Sequence, residues 1–126
     1  MHDDPTRDAP QGRSDLATLR DAMRAFVAER DWAQFHSPKN LAMALSVEAA
    51  ELVEHFQWLT EEQSRALTPD VKDAVALEMA DVLLYLVRLA DRLDVDLSAA
   101  AARKIELNAA KYPVERFRGS SRKYTK

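Results

Sequence analysis

Two Ser/Thr–Pro dipeptides, Ser37-Pro38 and Thr68-Pro69, each stand directly before one of the most apolar stretches of the chain. A serine or threonine hydroxyl accepts from the orphan N–H groups of a first helical turn. Proline at the first helical position gives up only a donor that would go unused there. The pattern behind each dipeptide is helical. Leu41, Leu45, Leu52 and Phe56 carry the first stretch to about Trp58, and Val71, Val75, Leu77, Val82, Leu83, Leu86 and Leu89 carry the second. Ser14 opens an earlier helix through Leu16, Leu19, Met23, Phe26 and Val27 that fades near Trp32, and Asp96 caps a later one that Pro113 stops at or before Tyr112. Residues 60–68 form a polar connector with room for a single turn. Nothing alternates with period two, and two glycines stand where average usage would place about nine, too few for a sheet built on tight hairpins. The expectation is an all-α fold, a four-helix bundle.

At 126 residues the chain has the length of one domain. Residues 1–13, with two prolines, a glycine and no periodicity, read as a disordered lead, residues 14–113 as the helical domain and residues 114–126 as a basic tail. The absence of cysteine excludes disulfides, thiol catalysis and zinc–thiolate sites. MHDDPTRDAP is acidic rather than basic-then-apolar, and no apolar run reaches the roughly eighteen residues of a membrane span, so a cytoplasmic location without membrane contact is expected. The net charge of −3 hides a division: the first fourteen residues carry −1, the last twelve +4, and the body between them −6. An acidic body does not clamp nucleic acid, whose affinity comes from Lys and Arg at the phosphates.

The decisive residues are four carboxylates set where leucines should be. LAMALSVEAAELVEHF carries Glu48 and Glu51, and VALEMADVLLYLV carries Glu78 and Asp81. Each pair, spaced i, i+3, shares one helix face one turn apart, and no Lys or Arg stands three or four residues away to neutralise it. Polar-face carboxylates are the ordinary fate of Glu, but two such pairs inside apolar runs point to a shared cluster. Desolvated acids need a partner or a cation. An all-oxygen set suits Mg²⁺ or Mn²⁺. The Glu-x-x-His pairs of di-iron bundles are missing, since His55 lies four residues after Glu51 and no histidine neighbours the other pair.

Glu48-x-x-Glu51 followed by Glu78-x-x-Asp81 resembles the signature of the MazG-like all-α nucleoside triphosphate pyrophosphohydrolases. ERDWAQFHSPKNLAMAL (29–45), FQWL (56–59), EMADVLLYLVRLA (78–90), KIELNAAKYP (104–113) and SSRKY (120–124) are similar to its dCTP pyrophosphatase branch. The resemblance implies Mg²⁺, or Mn²⁺ in its place, held by Glu48, Glu51, Glu78 and Asp81, and hydrolysis of a nucleoside triphosphate, dCTP above all, to the monophosphate and pyrophosphate. It places Trp32, His36, Trp58 and Tyr85 around base and sugar, and Lys104 and Asn108 at phosphate or sugar. It also implies a homo-oligomer, a dimer of dimers with shared sites. It departs at Met23, where the vertebrate dCTP enzymes have a substrate-contacting histidine, and that departure bears on base preference rather than on the chemistry.

The chemistry is consistent with the residues. Hydrolysis of a phosphoanhydride asks for positioning and for neutralisation of phosphate oxygens, with a carboxylate (Glu48 or Glu51) free to take the proton of the attacking water. Two other readings remain at this point: a silent helical scaffold with solvated acids, and a pyrophosphohydrolase for another (d)NTP or for phosphoribosyl-ATP. Trp32, Trp58 and Tyr85 could equally be packing residues, and His36 a loop residue.

Overall fold

The structure, a computed structural model, describes residues 14–122; the expected lead, residues 1–13, and the tail residues 123–126 lie outside them. Six helices follow one another: α1 (Asp15–Glu29), α2 (Pro38–Glu54), α3 (Glu61–Ser64), α4 (Pro69–Arg92), α5 (Leu97–Lys111) and α6 (Val114–Phe117). A 3₁₀ turn, Ala33–Phe35, lies between α1 and α2. There is no strand among the described residues, and none of the described helices is long and apolar enough to cross a membrane.

The starts are where the side-chain chemistry puts them. Ser14 Oγ accepts from Ala17 N at 3.0 Å, Ser37 Oγ from Asn40 N at 3.1 Å, Thr68 Oγ1 from Val71 N at 3.4 Å and an Asp96 carboxylate oxygen from Ala99 N at 3.0 Å. Such a cap is worth about 1 kcal/mol. The connector's single turn, α3, is closed by a capping box: Thr60 Oγ1 accepts from Gln63 N, and Gln63 Oε1 accepts from Thr60 N.

Two helices end in a left-handed residue that is not glycine. Asp31 and Asp94 take φ of 53° and 55°, the left-handed conformation in which aspartate is among the better-tolerated side chains. After α1 the Asp31 N–H reaches Ala28 O and the Trp32 N–H reaches Val27 O, which closes a Schellman turn and fixes the chain's exit. Helix α2 stops at Glu54, earlier than the apolar spacing suggests. Residues 55–59 continue as turns, with i→i−3 bonds such as Phe56 N to Val53 O and Leu59 N to Phe56 O.

The described chain divides into two compact units, one ending at Asp94 and one beginning at Val95. In the first, α2 lies along α4, and α1 packs on α4 as well. Its core is small: Val27 from α1, Leu41 from α2, and Val75, Val87 and Ala90 from α4. Many large apolar side chains stay exposed, among them Met43, Val47, Val53, Leu77, Met79 and Leu83. The second unit holds α5 and α6, with Tyr112 packed edge-on against Phe117, ring centres 4.9 Å apart. The basic tail therefore begins with a helical turn, Val114–Phe117.

Candidate active site

The shielded positions of α2, 41, 44, 45, 48, 51 and 52, step by three and four along one face, and Glu48 and Glu51 occupy two of them. On α4 the shielded positions run 71, 75, 78 and 82 and then broaden to 84, 85 and 87–91, so Glu78 sits in the apolar stripe too, followed by Tyr85. Glu48, Glu51 and Glu78 are thus on the packed faces of their helices, whereas Asp81 is exposed. Because α2 lies along α4, the two stripes meet.

One carboxylate oxygen from each of Glu48, Glu78 and Asp81 lies within 4.8 Å of the others, with Glu48 and Glu78 half-buried and Asp81 exposed. Glu51 is not one of the three, although its carboxyl and those of Glu48 and Glu78 influence one another's protonation. Glu48 Oε2 and Glu78 Oε2 are buried and no donor reaches them. Carboxylates in this position meet as acceptor against acceptor unless they share a proton or a cation. The titration follows. The Glu78 carboxyl beside it, aided by burial and the charges of Glu78 and Asp81, pushes Glu48 above its ordinary range, and Glu48 in turn pushes Glu51 upward. The donor set is all oxygen, anionic and partly hydrated, which fits a hard divalent ion such as Mg²⁺ or Mn²⁺. The donorless oxygens are where such an ion would compensate charge.

The aromatic candidates are spread along the edges. Trp32, 43% exposed, packs edge-on against Phe26 at 5.7 Å. Trp58, 86% exposed, stands on the turns that trail α2. His36 ends the 3₁₀ turn and is half-buried. In the second unit, Lys104 and Asn108 line a groove of about 670 Å³ with Lys111, Tyr112, Phe117, Ser120, Ser121 and Arg122. The groove brings together three cationic side chains and residues from the start of the SSRKY motif.

One constellation was missed in the sequence. Arg88, 6% exposed, reaches His36 and Asp91, and Asp91 is gripped by Arg24 from α1 through bonds of 2.6 and 2.8 Å. The signal was available: Arg88 interrupts VLLYLVRLA as the acids interrupt their own runs.

The sequence profile of the MazG-like family matches residues 43–126, a span that contains all four acids and the groove. This chain belongs to the MazG-like family. It is 49% identical over 113 residues to dCTP pyrophosphatase 1 of Mus musculus and 47% identical over 113 residues to that of Homo sapiens, each alignment covering 86% of this chain and 66% of the relative. Against dCTP pyrophosphatase 1 of Bos taurus it is 45% identical over 125 residues, 95% of this chain and 74% of the relative. The fold is similar to the crystal structure of a pyrophosphatase from Archaeoglobus fulgidus, with a TM-score of 0.76 and 38% identity over 82% of this chain and 96% of that one.

Proposed function

We propose that the chain is a divalent-metal-dependent pyrophosphohydrolase that converts dCTP, and 5-substituted dCTP, to dCMP and pyrophosphate, removing unwanted nucleotides from the pool. The observation that carries this reading is the pair of donorless oxygens, Glu48 Oε2 and Glu78 Oε2, among acids from two packed helices. The similarity to dCTP pyrophosphatases supports the choice of nucleotide.

Glu48, Glu51, Glu78 and Asp81 would hold Mg²⁺, with Mn²⁺ as substitute. When bound, the cation neutralises phosphate oxygens and polarises the phosphoryl group toward attack. The chain's own acids supply the proton transfer. Either Glu48 or Glu51, where not fully engaged by the cation, is suited to take a proton from the attacking water as its oxygen bonds the α-phosphorus. The bond from that phosphorus to the bridging oxygen breaks, and pyrophosphate leaves with the electron pair. Trp32, Trp58 and Tyr85 offer surfaces on which a base stacks, each worth about 1–3 kcal/mol but tolerant of base identity. Selectivity for cytosine then rests on polar contacts such as those of His36, because an unpaired buried polar group penalises the wrong base. Lys104, with Lys111 and Arg122 beside it in the groove, has the charge to bind substrate phosphate, and the Asn108 amide can donate a hydrogen bond to phosphate or sugar.

The same proposal includes self-association as a dimer of dimers and the four-helix bundle as the architecture. The exposed Met43, Val47, Val53, Leu77, Met79 and Leu83 support it, since a second copy is the way such side chains leave water. Light scattering is expected to give about four times the chain mass; a mass near 14.2 kDa at micromolar concentration overturns it.

Pyrophosphate release from the eight common nucleotides and phosphoribosyl-ATP, read through a coupling pyrophosphatase and phosphate detection, tests the activity. The expected result is the highest kcat/KM on dCTP, strictly dependent on Mg²⁺. Equal kcat/KM for dCTP, dTTP and dATP overturns the base preference alone. Turnover of none of them overturns the enzyme and leaves the helical scaffold.

A further inference from the structure

His36 is held from two sides by α4. Arg88 Nε donates to its Nδ1 at 3.2 Å, and Arg92 Nε donates to its backbone oxygen at 3.1 Å. Asn40 Nδ2 donates to Phe35 O at 3.1 Å, which ties the preceding residue to α2. Arg88 is itself buried and oriented by Asp91, whose other contacts are the two bonds from Arg24. A guanidinium has donors and no acceptor and keeps its charge throughout the ordinary pH range. The Nδ1 it points at must therefore present a lone pair, and the ring proton must reside on Nε2. Among the described residues nothing accepts from that Nε2. Burial, followed by the charges of Arg88 and Arg92, holds the imidazole below its ordinary pKa and so keeps it neutral. Asp91, the acid in this cluster, is engaged by Arg24 first.

We propose that Arg88, oriented by Asp91, is a positioning residue that locks His36 as the neutral Nε2–H tautomer, so that the loop offers the nucleotide a hydrogen-bond donor and favours a base with an acceptor, a ring carbonyl or unprotonated ring nitrogen, at that edge. The second half of this statement rests on the pyrophosphohydrolase reading; the first half does not. An Nδ1–H tautomer would offer an acceptor to a base instead, and the freely exchanging imidazole of an unheld loop would offer either. A buried arginine thus decides the polarity of a contact it does not itself make.

The test uses the full chain labelled with ¹⁵N-histidine, the His36 signals being assigned by their loss in His36→Gln. Long-range ¹H–¹⁵N spectra of the substrate-free protein at pH 7.5 are expected to show His36 with a protonated Nε2 and an unprotonated Nδ1. A protonated Nδ1, or an imidazolium, overturns the proposal without any variant of Arg88. In Arg88→Met the two tautomers are expected to mix and the His36 titration to move up toward its ordinary value, with KM for dCTP rising about tenfold and kcat changing less. Arg88→Lys, which keeps the positive charge without the guanidinium fork, guards against a folding defect and is expected to show the same tautomer mixing. An unchanged tautomer in both variants overturns the lock. A changed tautomer with unchanged KM overturns the contact to the nucleotide. Failure of the wild-type chain to hydrolyse dCTP would be a failure of the functional reading, visible separately from the spectra.

Discussion

Helix α4 carries two charged clusters two turns apart, and they are built in opposite ways. Around Glu78 and Asp81 the neighbours are more acids, with two buried oxygens that no donor reaches. Around Arg88 and Asp91 opposite charges meet, with Asp91 taking two bonds from Arg24 and a longer one from Arg88. The pKa values move accordingly. Glu48 and Glu51 are pushed up by the acids beside them, whereas the Arg24 hydrogen bonds hold Asp91 below its ordinary range. A cluster that compensates its own charge contributes to the fold. One that does not is strained until something outside the chain, here proposed to be Mg²⁺, completes it.

The strongest test of that contrast is Asp81→Asn, which keeps the side chain's shape and removes one charge. Mg²⁺-dependent hydrolysis is expected to fall to background, while the metal-free protein melts at or above the parent's temperature because Glu48 loses a repulsive neighbour. Retained turnover with the usual Mg²⁺ dependence would remove the metal site from the account. In the parent, Mg²⁺ at a hundred times its Kd is expected to stabilise the fold by about 2.7 kcal/mol through mass action, read as a rise in melting temperature. Asp91→Ala is the counterpart in the compensated cluster. It leaves Arg88 buried without its carboxylate and is expected to cost about 2–3 kcal/mol in denaturant unfolding, with or without Mg²⁺. A loss below a few tenths of a kcal/mol would make the two clusters equivalent.

The pH dependence of the metal-free protein separates them by sign. A carboxyl whose folded pKa is raised destabilises the fold above that value, so the Glu48–Glu51 group returns stability as pH falls toward the ordinary value of 4.5. A lowered carboxyl does the reverse: the Asp91 contribution is complete above its ordinary 3.8 and is lost as pH falls through its lower folded value. Melting in a chelator from pH 7.5 to 3 is expected to show a rise and then a fall. Asp81→Asn, which removes the least of the influences on Glu48, makes the first limb slightly shallower, and Asp91→Asn flattens the second; either variant acting on the other limb would break the comparison. The smallest effect belongs to Thr68→Ala at the start of α4. It is expected to cost about 1 kcal/mol and to leave both limbs where they were, since a cap acts on the helix as a whole.

The sequence determined the helices, their starts and the four acids, because caps, apolar spacing and misplaced charges are local signals: Ser14, Ser37, Thr68 and Asp96 each act on an amide three residues away. Where α2 stops was less legible, since no residue at 55–58 forbids a further turn and the fraying is settled by small differences in bonding. The meeting of Glu48 with Glu78, thirty residues apart, was foreshadowed because both stand in apolar runs, but tertiary structure alone decided that Arg24 grips Asp91 across sixty-seven residues. Nothing in their spacing reveals that a carboxylate near the end of α4 will find an arginine of α1. That depends on how α1 and α2 are laid along one helix, and Coulomb energy, steep at a few ångströms and screened beyond, gives the answer only once they are.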